Sequence, residues 1–306
     1  MSDHAPARKN ANVLGMFALI SAIVFFSTIE IVSKDIALKG AQIEPFLMVF
    51  LRFFVTGVVL LGFGLPTFFR QGGKLTWEDI KIFLLNGFIG IAVSISLFHA
   101  AIIMFSNASS SAVVFSANAV FAIVIARFMN NEPWSVRKWA AVICALLGVS
   151  LFIFEKGAPS LDTLKAILTM SLAALGFAYS VCLTRQRVHK YGAMVFMGAS
   201  SLIGSLFTLP LALWRLPQDF LGEIAKVWPE LTYIVLIGTT LAYLLYYIGL
   251  KHMSAFIGAM TFFLKPGLAC ILAWLWKGEQ MNAWTISGTL IILAALSLTL
   301  PKKRAA

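Results

Sequence analysis

A lysine inside an apolar run is the residue of this chain best placed to do chemistry. The stretch "IGAMTFFLKPGLA" (257–269) sets Lys265 and Pro266 in a run from about Ala255 to Trp276, long enough to cross a bilayer as a helix. Lys265 stands about ten residues from either end, or roughly 15 Å at 1.5 Å per residue. Its side chain is too short to snorkel out from there, so it must face water, a counter-charge or a ligand. Pro266 removes one backbone donor and displaces the carbonyl four residues back, at Phe262, and Gly267 eases bending. The pair therefore reads as an anchor for an anionic group beside a hinge. The plainer alternatives are a lysine locked in a structural ion pair or kept neutral by burial.

Other polar residues lie in apolar surroundings. Glu30, in "FFSTIEIVSKDIA", is the natural partner for Lys265 and could bind a substrate amine or couple protons. A local i,i+4 pair with Lys34 would account for it equally well. Asn118 could bind a polar group or bridge helices. His99, in "SLFHAAIIMF", could relay protons, or simply make a structural hydrogen bond. Tyr179 and Tyr243 lie deep enough to line a cavity, and Tyr247 is near enough a helix end to join an interfacial aromatic belt. Arg52 is expected to snorkel or to pair with Glu44. Glu132 and Glu279, in turns beside helix starts, are expected to act structurally through the helix dipole.

Several chemistries have no residues to carry them. Cys144, Cys182 and Cys270 all fall in apolar segments, with neither a metal spacing nor a disulfide framework. His4, His99, His189 and His252 are scattered, and no phosphate-binding loop, HExxH or GxSxG occurs. No cofactor is expected, and energy would come from an ion gradient or from exchange.

The elements that must position these residues are membrane helices. Hydrophobic residues make up 60% of the 306 and charged residues only 12%, against roughly 25% charged in soluble domains. The net charge of +11 would suggest nucleic acid in a soluble chain, but the cations sit in short connections and set topology instead. Hydropathy, broken at charges, Pro and Gly, gives ten spans. They run about 13–33, 46–69, 80–104, 108–128, 136–154, 164–184, 192–214, 231–250, 255–276 and 282–300. Fifteen Lys and Arg lie in the connections on the N-terminal side and seven on the other, with Arg52 and Lys265 inside spans. That bias predicts both termini in the cytoplasm of a bacterial-type inner membrane, with no cleaved signal peptide.

The chain also repeats itself. "SNASSSAVVFSANAVFAIVIARFMNNEPWSVRKWAAVICALLGVSLFIF" slides without a gap onto "HMSAFIGAMTFFLKPGLACILAWLWKGEQMNAWTISGTLIILAALSLTL" at an offset of 147. Each copy reads helix, short turn bearing one Glu, then helix. Asn118 meets Lys265, and Ala119 meets Pro266. Five spans per half is an odd number, so the second half must run inverted relative to the first. Inverted repeats are a recurrent plan of secondary transporters, with the substrate site at the midplane between halves. The expected fold is all-α integral membrane, ten transmembrane helices as two inverted five-helix repeats. Its units are a cytoplasmic tail (1–12), repeats at 13–154 and 164–300 joined by a linker (155–163), and a second cytoplasmic tail (301–306).

"EPFLMVFLRFF", "NNEPWSVRKWAAVICALLGVSLF" and "LKPGLACILAWLWKGEQMNAWTISGTLIILAALSL" resemble the EamA-type ten-helix transporters of the drug/metabolite transporter superfamily. The resemblance covers nearly all of 13–300 and implies a proline in the fourth and ninth spans; this chain keeps Pro266 and departs at Ala119. It implies a small-molecule carrier and leaves the substrate open.

The leading expectation is a secondary active transporter working by alternating access, with Lys265 as anchor and export as the direction. A midplane cation favours an amino acid or organic acid, with protons or a counter-substrate as the driving partner. The alternative is efflux of cationic metabolites or drugs coupled to protons through Glu30. A remoter one is a membrane enzyme on lipid-linked substrates. The partners are the bilayer and a small molecule, without nucleic acid, and the chain is expected as a monomer or weak homodimer.

Overall fold

A computed structural model describes residues 5–129, 135–252 and 264–299. Among these the chain is all helix and connection. The helices form ten segments, numbered here in chain order. Segment 1 is Ala5–Ser27 with Ile29–Leu38, and segment 2 is Pro45–Arg70. Segment 3 runs from Trp77 to Met104, and segment 4 is Ala108–Ser116 with Asn118–Met129. Segment 5 is Val136–Ser150 with a 3₁₀ turn to Phe154, segment 6 Leu161–Tyr191, and segment 7 Ala193–Trp214. Segment 8 runs from Phe220 to His252, segment 9 is Leu264–Lys277, and segment 10 is Ala283–Thr299. Segments 1 to 8 are each long and apolar enough to cross a membrane, and Ala283–Leu298 is a shorter apolar helix.

Local sequence explains most boundaries. Thr76 and Asp79 close a capping box at the start of segment 3. The Ser160 side chain accepts from Thr163 N at the start of segment 6, and Pro45 opens segment 2 where its missing N–H costs nothing. Gly192, at φ 76°, is the single residue between segments 6 and 7, a left-handed turn that a side chain would strain.

Packing follows the repeat. Segment 2 packs on 7, 4 on 9, 5 on 10, 1 on 8, and 3 on 6. Exchanging the halves turns 1 into 6, 2 into 7, 3 into 8, 4 into 9 and 5 into 10. Three of these contacts then map onto themselves, and 1–8 maps onto 3–6. A pseudo-two-fold relation between inverted halves produces that pattern. Segments 5 and 10 meet closely, since a Cβ on Gly148 would lie 3.0 Å from the Gly288 carbonyl oxygen. Small residues are what let membrane helices approach so far without a hydrophobic driving force.

The halves also share an irregularity that periodicity does not reveal. Segment 3 is π-helical over Gly87–Val93 and segment 8 over Tyr233–Leu241. An offset of 147 carries the first stretch onto 234–240, inside the second. π-Helical turns re-aim side chains and are common at functional sites.

A buried charge cluster at broken helices: the candidate functional site

Segment 1 breaks at Thr28. Ser27 Oγ donates to the Ile23 carbonyl at 2.8 Å and Thr28 Oγ1 to the Phe25 carbonyl at 2.8 Å. Adjacent hydroxyls bonding back to carbonyls loosen the helical ladder there. Glu30 therefore sits in the first turn of a new helix. Segment 4 breaks at Ala117, where Ser116 Oγ donates to the Val113 carbonyl at 2.6 Å and Asn118 Nδ2 to the Phe115 carbonyl at 2.7 Å. This break in the first half occurs without a proline.

These two breaks flank Lys265. Its Nζ lies 2.6 Å from Glu30 Oε1, with the glutamate side chain wholly buried and the lysine 12% exposed. Ser27 Oγ lies 3.3 Å from the Lys265 carbonyl oxygen, and the ammonium stands 5.4 Å from the centre of the Phe115 ring. The second carboxylate oxygen, Glu30 Oε2, is buried and has no hydrogen-bond partner among the described residues. An ionised carboxylate can accept about four hydrogen bonds, so this one is underused. Lys34, four residues from Glu30, donates instead to the Phe105 carbonyl, so the local pair allowed by the spacing does not form.

A second charge lies alongside. Arg52 is buried; its Nε donates to Thr239 Oγ1 at 2.8 Å and its Nη1 lies 2.5 Å from His99 Nε2. This corrects the expectation of snorkelling or of a Glu44 pair. The arginine points inward because segments 3 and 8 offer acceptors there. Guanidinium groups only donate, so His99 Nε2 accepts and the histidine proton is on Nδ1. The bond ties segment 3 to segment 2. Thr239 and Thr240 belong to the π stretch, and their hydroxyls reach back five residues to Ile234 and Val235. Thr56 Oγ1 meets Thr240 Oγ1 at 2.9 Å, tying segment 2 to segment 8.

A Cβ on Gly238 would meet Ile29 Cγ1 at 3.3 Å, so segments 1 and 8 approach closely at that point. Glu30 and Thr239, the next residue on each segment, flank the contact. Tyr243 packs on segments 1 and 2, with its ring 4.9 Å from Phe26 and 6.3 Å from Phe53. Tyr179 packs in a neighbouring cluster with Tyr243, Tyr246 and Tyr247. Tyr247 is 7% exposed and stacks on Tyr243 at 6.1 Å, so it is interior rather than part of an aromatic belt. Pro266 is buried, and Gly267 faces open space. The hinge expectation turns on the Phe262 carbonyl, which lies outside the described residues, as does Glu132.

Glu279 is structural, as its position in a turn implied, but it acts across the halves. It accepts from Ala108 N at 2.8 Å and from Ser109 N and Oγ at 3.1 and 2.8 Å, capping segment 4. Three interactions escaped sequence reading. Lys277 pairs with Asp35 at 2.7 Å and Lys39 with Glu230 at 2.6 Å. At the opposite end, buried Asp79 receives Lys190 Nζ and Tyr191 Oη, each at 2.5 Å. No periodicity announces such pairs, because their partners lie more than a hundred residues apart.

Known proteins share this plan. The profile of the EamA-like transporter family matches residues 13–154 and again 164–300. An uncharacterized transporter of Clostridium kluyveri is 29% identical over 283 residues, spanning 91% of this chain and 90% of the relative. A Rickettsia prowazekii protein named S-adenosylmethionine uptake transporter is 22% identical over 92% of this chain and 90% of its own length. One crystal structure superposes with a TM-score of 0.63 over 97% of this chain and all of that one, at 18% identity, which speaks to fold alone. Two family matches and transporter relatives over nearly the whole length set aside the enzyme alternative: the chain belongs to the EamA-like transporter family, and is a multi-pass membrane transporter.

Proposed function

We propose that this transporter moves a small amino acid or organic acid by alternating access, with both termini in the cytoplasm and export as its working direction. The observation that carries the reading is the Lys265–Glu30 pair, buried where segments 1 and 4 break. Discontinuous helices around a midplane site are the arrangement in which transporters hold charged substrates. Removing either partner of such a pair is costly, but a ligand that supplies a replacement charge can open it. With Arg52 the cluster holds two cations and one carboxylate, which favours a substrate bearing an anionic group. The relatives named for S-adenosylmethionine uptake are consistent with this class, since that molecule has an amino-acid head.

A thermal-shift screen of purified protein against amino and organic acids tests the reading, with Lys265→Ala as control. A ligand at a hundred times its Kd stabilises by about 2.7 kcal/mol, and Lys265→Ala should lose that shift. No shift with any acid, or an equal shift in the variant, would refute it. The Glu30 oxygen that has no partner among the described residues favours a second reading, in which the carboxylate exchanges Lys265 for a proton during the cycle. Glu30→Gln would then flatten the pH profile of uptake in proteoliposomes; an unchanged profile rejects that coupling.

A further inference from the structure

The buried charges do not balance. Deep in the described spans stand Glu30, Lys265 and Arg52, one anion and two cations. Lys265 is matched by Glu30 Oε1, whereas the hydrogen bonds of Arg52 go to two neutral acceptors, Thr239 and His99. An arginine is always charged, and a buried charge without a counter-charge is expensive. Pinning segments 2, 3 and 8 together would not by itself require a cation, because an amide could bond the same threonine and histidine. The arrangement orients the guanidinium from two sides, and no hydrogen bond engages its Nη2 among the described residues. Across the Ile29–Gly238 contact, Glu30 Oε2 is an acceptor in the complementary state, fully buried and without a donor among the described residues.

We propose that Arg52, held in place by His99 and Thr239, is the carboxylate end of the substrate site, and that Glu30 Oε2 is its ammonium end. The substrate class is then the zwitterionic α-amino acid, which supplies the missing anion to Arg52 and the missing donor to Glu30 together. Lys265 is the resident cation that keeps Glu30 ionised when the site is empty. Tyr243, packed between Phe26 and Phe53, forms the wall beside the two poles. The inference rests on the transporter reading above and narrows its substrate from acids in general to amino acids. It also gives His99 a role in positioning Arg52 through the bond at Nε2.

The test uses the full-length protein purified in detergent and the twenty standard L-amino acids. Each one that binds is compared with its α-carboxamide, which lacks the carboxylate, and its α-hydroxy acid, which lacks the ammonium. A charge-assisted hydrogen bond implies that wild type prefers the amino acid to the carboxamide by about 10- to 100-fold. Arg52→Gln should bring that ratio close to one while preserving the preference over the hydroxy acid, and Glu30→Gln should do the reverse. Arg52→Lys keeps the charge, loses the fork and should retain part of the preference; it decides the matter if Arg52→Gln does not fold. An undiminished acid-to-amide ratio in either folded Arg52 variant overturns the subsite and leaves the transporter reading standing. Binding of dicarboxylic acids to wild type, with no amino acid bound, overturns the zwitterion assignment alone. Failure of every amino and organic acid to bind overturns both.

Discussion

At the scale of single residues, Glu30 and Lys265 are expected to depend on each other. Lys265→Ala strands a buried carboxylate and should cost about 3–5 kcal/mol, whereas the isosteric double change Lys265→Met with Glu30→Gln should recover most of it. Thermal unfolding of the four proteins in detergent measures this as a cycle. A double variant no more stable than the worse single one would show that the two do not act as a pair. Lys265 was legible in the sequence because a cation has no excuse in the middle of an apolar run. Glu30 was legible as the natural partner of Lys265, but the sequence could not choose that pair over a local one, since Lys34 one turn on offered an equally good charge. Arg52 misled for a related reason. Its place near a span's start suggests the interface, and only the packing of segments 3 and 8 shows that acceptors wait inside.

At the scale of elements, the irregularities matter more than the helices. Ten apolar runs and an offset repeat could be read directly, because membrane spans must be long and continuous. The breaks at Thr28 and Ala117 and the paired π stretches could not, because hydroxyls and crowded backbones bend helices without changing hydropathy. Glu279 exemplifies a long-range dependence between elements. Its carboxylate caps segment 4 from the turn before segment 10, so Glu279→Ala should lower stability by about 1–2 kcal/mol. Hydrogen exchange should accelerate at Ala108 and Ser109 in that variant, and unchanged protection there would remove the capping role. The Gly148–Gly288 approach is a second case. Gly148→Leu should destabilise by more than about 3 kcal/mol, because a Cβ already falls 2.7 Å from Ile292 Cγ1 and the backbone has to move. A Gly148→Leu protein with wild-type thermal stability would mean that segments 5 and 10 separate freely.

At the scale of the molecule, polar contacts join the halves at both ends. Lys277–Asp35 and Lys39–Glu230 link them at the end where segment 9 finishes, and Asp79 with Lys190 and Tyr191 links them at the other. Alternating access requires these ends to part in turn. Cysteines at Asp35 and Lys277, in a background lacking Cys144, Cys182 and Cys270, should be joined by a reducible bifunctional thiol reagent that spans a lysine side chain, which should stop transport, with recovery on reduction. Full transport by the cross-linked protein would contradict rocking of one half against the other.

On the proposed mechanism, substrate binds where Lys265 meets Glu30 and is carried, rather than conducted, across the membrane. Counterflow in proteoliposomes tests it most directly. Vesicles loaded with an unlabelled amino acid that shifts the melting of the protein should transiently accumulate the labelled form above its external concentration. Lys265→Ala should abolish that overshoot in protein that still inserts and elutes as a single species. An undiminished overshoot in Lys265→Ala, or wild-type flux that simply equilibrates without overshoot, would contradict the account.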